Sequence, residues 1–149
     1  MFLNFPKYEF KIEKKDNKSY IYDVVRNKFV ALTPEELVRQ NMVQYLISEC
    51  HVPKSHIANE VPISLNQMTK RCDTVVYSQD LKPLVIVEYK APTVSLSQSV
   101  FNQILTYNTV LHVPYLLVSN GLRHLFCKVD NDGGVSFFPK IPDFRNLTF

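Results

Sequence analysis

The stretch Leu84-Val85-Ile86-Val87-Glu88-Tyr89-Lys90 is apolar almost throughout, shows no polar–apolar alternation, and stops at Ala91-Pro92. A run of that kind is a central strand covered on both faces, so the chain must place a layer on each side of a sheet. Proline ends the run because it cannot continue a ladder. At 149 residues, 46% hydrophobic and 21% charged, the chain is long enough to bury one such core and too apolar to stay unfolded. With three glycines and no repeat or low-complexity linker, it offers no internal boundary, and residues 1–149 are expected to form one domain.

The flanking sequence supplies the layers. Thr33-Pro34-Glu35-Glu36 reads as a helix start, with Thr33 as N-cap, Pro34 at the first helical position and Glu36 where a capping box takes an acid. Leu37, Val38, Met42, Tyr45 and Leu46 follow at helical spacing to about Glu49. Residues 57–63, 71–77 and 84–90 are expected strands, the last two joined by a polar connection over residues 78–83. Residues 97–111 form a second helix with Val100, Phe101, Ile104, Leu105 and Leu111 on its apolar face. Residues 113–119, 125–129 and 135–138 are further strands, the last two separated by a turn at Asp130-Asn131-Asp132-Gly133-Gly134. Short strands at residues 20–22 and 28–30 precede the first helix, and residues 1–19 are an aromatic and lysine-rich segment. The order predicts an α/β fold: a mixed β-sheet flanked by helices with an αβββαβ core.

No stretch approaches the roughly 18 apolar residues of a membrane span and no signal-peptide pattern opens the chain, so a cytoplasmic protein without a membrane partner is expected. Cys50, Cys72 and Cys127 form no Cys-x-x-Cys pair, which argues against a zinc ribbon or a redox site and for buried apolar fillers. The net charge of +3 permits a polyanionic partner without demanding one.

The central strand carries the chemistry at its end. Side chains alternate along a strand, so Glu88 and Lys90 point to one face about 7 Å apart. In the preceding strand Asp73 shares a face with Val75 and Tyr77, and hairpin pairing can bring it beside Glu88. Two carboxylates that close repel unless a cation lies between them, and oxygen ligands of this type suit magnesium with its waters and phosphate oxygens. A lysine beside them can stabilise a hydroxide or the charge developing on a phosphoryl group. On the next helix Gln103 and Tyr107 stand at i and i+4, on one face. The trio is a design for metal-assisted phosphodiester hydrolysis. The bland alternative is an exposed strand end whose charges form a surface ion pair worth under about 1 kcal/mol.

Arg71-Cys72-Asp73-Thr74-Val75-Val76-Tyr77, Val87-Glu88-Tyr89-Lys90-Ala91-Pro92 and Gln103-Ile104-Leu105-Thr106-Tyr107-Asn108 together resemble the PD-(D/E)XK nuclease superfamily, and most of all the N-terminal nuclease domain of type I restriction enzyme R subunits. Residues 23–36 with Val38-Arg39-Gln40, and Val118-Ser119-Asn120-Gly121 with His124, fit the same family, so the resemblance spans about residues 20–130 and leaves a C-terminal strand and tail at 135–149. It implies a Mg²⁺-dependent DNA endonuclease, with Mn²⁺ as a substitute. It casts Asp73 and Glu88 as metal ligands, Lys90 as the catalytic lysine, and Gln103 with Tyr107 as the family's Gln-x-x-x-Tyr element. Some relatives add a glutamate from the first helix; Glu36 is that candidate, with capping as the competing explanation, and Glu60 stands behind it. DNA is the implied partner, with motor and specificity subunits of a restriction system beside it.

The chain lacks the Gly-x-x-x-x-Gly-Lys-Ser/Thr loop of a nucleotide-driven motor, so translocation and ATP hydrolysis are not implied. The rival reading is the same fold without turnover, docking DNA or a partner restriction subunit; an assembly subunit with a fortuitous charge cluster is a third. His51, His56, His112 and His124 lack metal-ligand spacing, and residues 130–134 lack a calcium loop's ligand series. Lys54, Lys70, Arg71 and Lys82 could hold a phosphate backbone or simply form a solvated face. Phe2, Phe5, Tyr8 and Phe10 are expected to pack.

Overall fold

The computed structural model describes residues 2–148. Three short strands, β1 (Ile12–Lys15), β2 (Lys18–Asp23) and β3 (Lys28–Ala31), form an antiparallel sheet ahead of helix α1 (Pro34–Ser48). Then come β4 (Ile57–Leu65), β5 (Met68–Tyr77), β6 (Pro83–Tyr89), helix α2 (Gln98–Leu111), β7 (Tyr115–Ser119), β8 (His124–Val129) and β9 (Val135–Phe137). These six strands make one sheet in the order β4-β5-β6-β7-β8-β9. All neighbours are antiparallel except β6 and β7, which α2 connects as a parallel crossover. From α1 to β7 the order is the expected αβββαβ, in a mixed sheet with a helix on each face.

Strand β6 lies at the centre and is buried from Leu84 to Tyr89. Its alternate residues feed two cores. Val85, Val87 and Tyr89 pack with Val38, Met42, Val43 and Leu46 of α1. Ile86 packs with Phe101 and Ile104 of α2, beside Val75, Leu116 and Val118. Thr33 Oγ1 accepts from the Glu36 N–H at 3.0 Å, as an N-cap should. The Glu36 side chain turns inward to other partners, so the capping box is half made.

The ribbon β4–β5 is longer than expected, extending to Leu65 and Met68 around a tight turn in which Asn66 and Gln67 take φ of 52° and 64°. Strand β1 is a further addition. Asp16 and Asn17, at φ 52° and 63°, make the two-residue turn that pairs it with β2, and an Asp-Asn pair is a hairpin signal. Phe5 packs on Tyr45 and His124, and Tyr8 on Phe10. Phe2 does not pack; it is 97% exposed. The three cysteines are free and buried, which pushes each thiol up to about 12. Among the described residues no helix is long and apolar enough to cross a membrane.

Candidate metal and phosphate site

The β5–β6 register pairs Thr74 with Val87, and one further step sets Asp73 opposite Glu88. There the ladder gives way to side chains: the Tyr89 N–H donates to Asp73 Oδ2 at 2.8 Å. Both acidic side chains lie on the α2 side, close enough for the charge of Asp73 to act on Glu88. Lys90 sits one residue past β6, its N–H donating to Ser119 O at 2.9 Å and so extending the parallel pairing. Its ammonium stands 3.9 Å from Glu88 Oε1 and donates to Gln103 Oε1 at 3.1 Å. Gln103 Nε2 in turn donates to the Tyr107 hydroxyl at 3.1 Å. The structure thus gathers five residues that the sequence singles out: Asp73, Glu88, Lys90, Gln103 and Tyr107.

The electrostatics of the pair are unbalanced. Burial and then the charge of Asp73 push the Glu88 carboxyl up to about 8, with Lys90 opposing. Asp73 is also raised, by burial, against the Tyr89 N–H and the positive charge of Arg39. Glu88 Oε2 is the buried side-chain polar atom that finds no hydrogen-bond partner among the described residues. Native interiors rarely leave such an atom unmatched. Two carboxylates, one with an orphaned oxygen and both short of positive charge, fit a hard divalent cation that takes one or two protein carboxylates and completes its shell with water or phosphate. Among the described residues no group of three or more His, Cys, Asp or Glu is placed to hold a metal, so a larger, all-protein cage is not built here.

Glu36 and Glu60 lie elsewhere, on the α1 side. Glu36 Oε1 accepts from Arg26 and Arg39 at 3.0 Å each, and Oε2 from Arg39 and Gln40 at 3.0 and 2.9 Å. Both oxygens are thus occupied by side chains of this chain. Glu60 Oε1 accepts from Arg39 Nη2 at 2.7 Å. The same buried network runs on through Asp23, which pairs with Arg26 and accepts from Asn59 Nδ2 at 3.0 Å. Thr74 Oγ1 donates to Asn59 Oδ1 at 2.6 Å and accepts from the Tyr89 hydroxyl at 2.9 Å. Sequence reading places Asp23, Arg26, Arg39 and Thr74 in segments that resemble the family but gives none of them a role, and it leaves Asn59 unremarked. A signal existed on α1: Glu36, Arg39 and Gln40 fall at i, i+3 and i+4 on a buried stripe that continues at Val43.

Lys70 and Arg71 are exposed on β5 within three residues of Asp73. Lys82 precedes the far end of β6, about 20 Å along the strand from Glu88. His124 is structural, its nitrogens bonded to Ser119 Oγ at 2.7 Å and Asn4 O at 2.8 Å. Residues 130–134 close a turn, with the Asp130 N–H donating to Gly134 O at 2.7 Å.

The model of a family described as the type I restriction enzyme R protein N terminus (HSDR_N) matches residues 34–142, from the start of α1 past β9. The match includes all five residues of the cluster and leaves β1–β3 outside. A solved fragment assigned to the HsdR subunit of a type I restriction enzyme from Vibrio vulnificus YJ016 has a similar fold, with a TM-score of 0.54 and 19% identity over 74% of this chain. The chain spans 24% of the length of that one. No curated protein matches it significantly.

Proposed function

Because the chain belongs to the family of type I restriction enzyme R protein N termini, we propose that it is the nuclease module of such an enzyme, a Mg²⁺-dependent DNA endonuclease of the PD-(D/E)XK type. The observation that carries the reading is the buried Asp73–Glu88 pair with its orphaned Glu88 Oε2. Asp73 and Glu88 would hold the cation, with Mn²⁺ able to substitute. When bound, the ion supplies Lewis-acid polarisation of a phosphoryl oxygen and neutralises the charge that builds on it.

The chain's own residues do the rest. Lys90 spends one ammonium proton on Gln103 and keeps the others for the developing negative charge of a phosphoryl group. Gln103 fixes the lysine, and Tyr107 fixes Gln103, so the ammonium is oriented before substrate arrives. Arg71 and Lys70 stand where a phosphate backbone crossing β5 would meet them. Target recognition and motor action would come from other parts of a restriction system.

Incubation with supercoiled, linear and single-stranded DNA in Mg²⁺ tests the reading. Strand cleavage that Asp73→Asn and Lys90→Ala abolish, both variants remaining folded, is the expected result. DNA binding with a steep salt dependence, no cleavage of any form and no effect of Asp73→Asn would instead indicate a non-cleaving docking module.

A further inference from the structure

At the level of the carboxylate pair the β4–β5 ribbon keeps its register but loses one pair and turns over. Asn59 pairs with Thr74 and Val61 with Cys72, but Glu60 and Asp73 between them do not pair. Glu60 has φ of 58°, a left-handed conformation that costs a residue with a side chain. The break changes which face each side chain meets. Asn59 and Glu60 both reach the α1 side, while Cys72 joins the α2-side core with Val75. A left-handed residue with a side chain persists only where its surroundings hold it, and something must hold this one in place.

Arg39 does so. It is 8% exposed, and its guanidinium spans the break. Nη1 donates to the Asp73 main-chain oxygen at 2.7 Å and Nη2 to Glu60 Oε1 at 2.7 Å. Nε and Nη2 grip Glu36 on α1 at 3.0 Å. The same guanidinium lies over the Tyr89 ring, 5.8 Å from its centre. Tyr89 is the residue whose N–H fixes the Asp73 carboxylate. One side chain therefore grips both unpaired residues and the strand that presents Glu88.

We propose that Arg39 is a positioning residue, a fork that locks the Glu60–Asp73 break and so aims the Asp73 carboxylate at the cation site. The role rests on the metal reading above. It needs the planar fork, which addresses separate acceptors at once, and a lysine keeps the charge without the fork. Arg26 is the internal comparison, because it shares Glu36 and joins Asp23 but touches neither Asp73 nor Glu60.

The test is amide hydrogen exchange of the metal-free protein by NMR, followed by calorimetric titration with Mn²⁺, for wild type, Arg39→Lys and Arg26→Lys. In Arg39→Lys the Tyr89 amide is expected to exchange at least about 10-fold faster, with Leu116 and Leu117 of β7 unchanged. Mn²⁺ affinity is expected to fall by about 10- to 100-fold, the usual cost of losing support behind a metal ligand. Arg26→Lys should leave both readouts within about 2-fold. Should Arg39→Lys prove too unstable to measure, Glu60→Gln loosens the same fork and should speed Tyr89 exchange in the same direction. Unchanged Tyr89 protection, or acceleration shared equally with Leu116 and Leu117, overturns the proposal and leaves Arg39 a plain stability residue. Selective loss at Tyr89 in a protein whose wild type never binds Mn²⁺ overturns the metal reading and, with it, the role assigned to Arg39.

Discussion

On the α1 face of β5 and β6, three acids meet two guanidinium groups: Asp23 and Glu36 pair with Arg26, and Glu36 and Glu60 with Arg39. On the opposite face of the same strands, Asp73 and Glu88 confront each other with one lysine 3.9 Å away. Both clusters are largely buried and both are built from carboxylates and cations. In the first, each charge has hydrogen-bonded partners inside the chain. In the second, an oxygen is left without one and Glu88 is pushed up to about 8. A buried charge with all its partners is part of the scaffold. A buried carboxyl with an oxygen lacking a partner is what a bound cation would satisfy, and this contrast, more than the mere presence of acids, supports the proposed site.

The contrast can be broken first on its closed side. Arg39→Ala takes one of two guanidinium partners from the buried Glu36, the partner of Glu60 and a donor to the Asp73 carbonyl, and urea unfolding should show a loss of about 3 kcal/mol. On the open side, Lys90→Ala should lower Mg²⁺-dependent cleavage by about 10²–10³-fold. The same change should move stability by less than about 1 kcal/mol, since a long, partly exposed ion pair contributes little. A Lys90 variant that unfolds would mean that the lysine belongs to the scaffold after all.

Glu88→Gln sharpens the comparison through pH. The Glu88 carboxyl is raised in the folded chain, so between its ordinary value and about 8 the native state holds a proton that the unfolded chain releases. Stability of the metal-free protein should therefore fall as pH rises across that window and level off above it. Glu88→Gln should flatten the decline and leave the variant more stable than wild type at pH 8, by chemical denaturation at both ends of the range. A variant less stable than wild type at every pH would show that the ionised pair is already satisfied. The smallest effect is expected for Gln103→Ala, which frees Lys90 without removing a charge: cleavage lower by about 3- to 10-fold, with unfolding shifted by about 1 kcal/mol.

Much of this arrangement was legible before the structure. The apolar run at residues 84–87 required a covered central strand, and β6 is buried between α1 and α2. Hairpin register was enough to set Asp73 against Glu88, because pairing between consecutive strands is local. The hidden parts depend on contacts distant in sequence. Nothing adjacent to Glu60 forecasts its left-handed backbone, which accompanies a missing ladder pair opposite Asp73, thirteen residues on. Glu36 was read as a cap and a candidate ligand, while its actual partners include Arg26 from the loop between β2 and β3. The Asp16-Asn17 turn was readable and was missed because its strands carry exposed, charged residues with little hydrophobic pattern.

The most direct test of the central claim is calorimetric titration of the purified chain with Mn²⁺ beside Asp73→Asn, with both proteins shown to be folded. The open carboxylate pair predicts one Mn²⁺ per wild-type chain, accompanied by proton release as Glu88 ionises, and no such binding in the variant. Absence of binding in both folded proteins, or equal binding in both, would contradict the account.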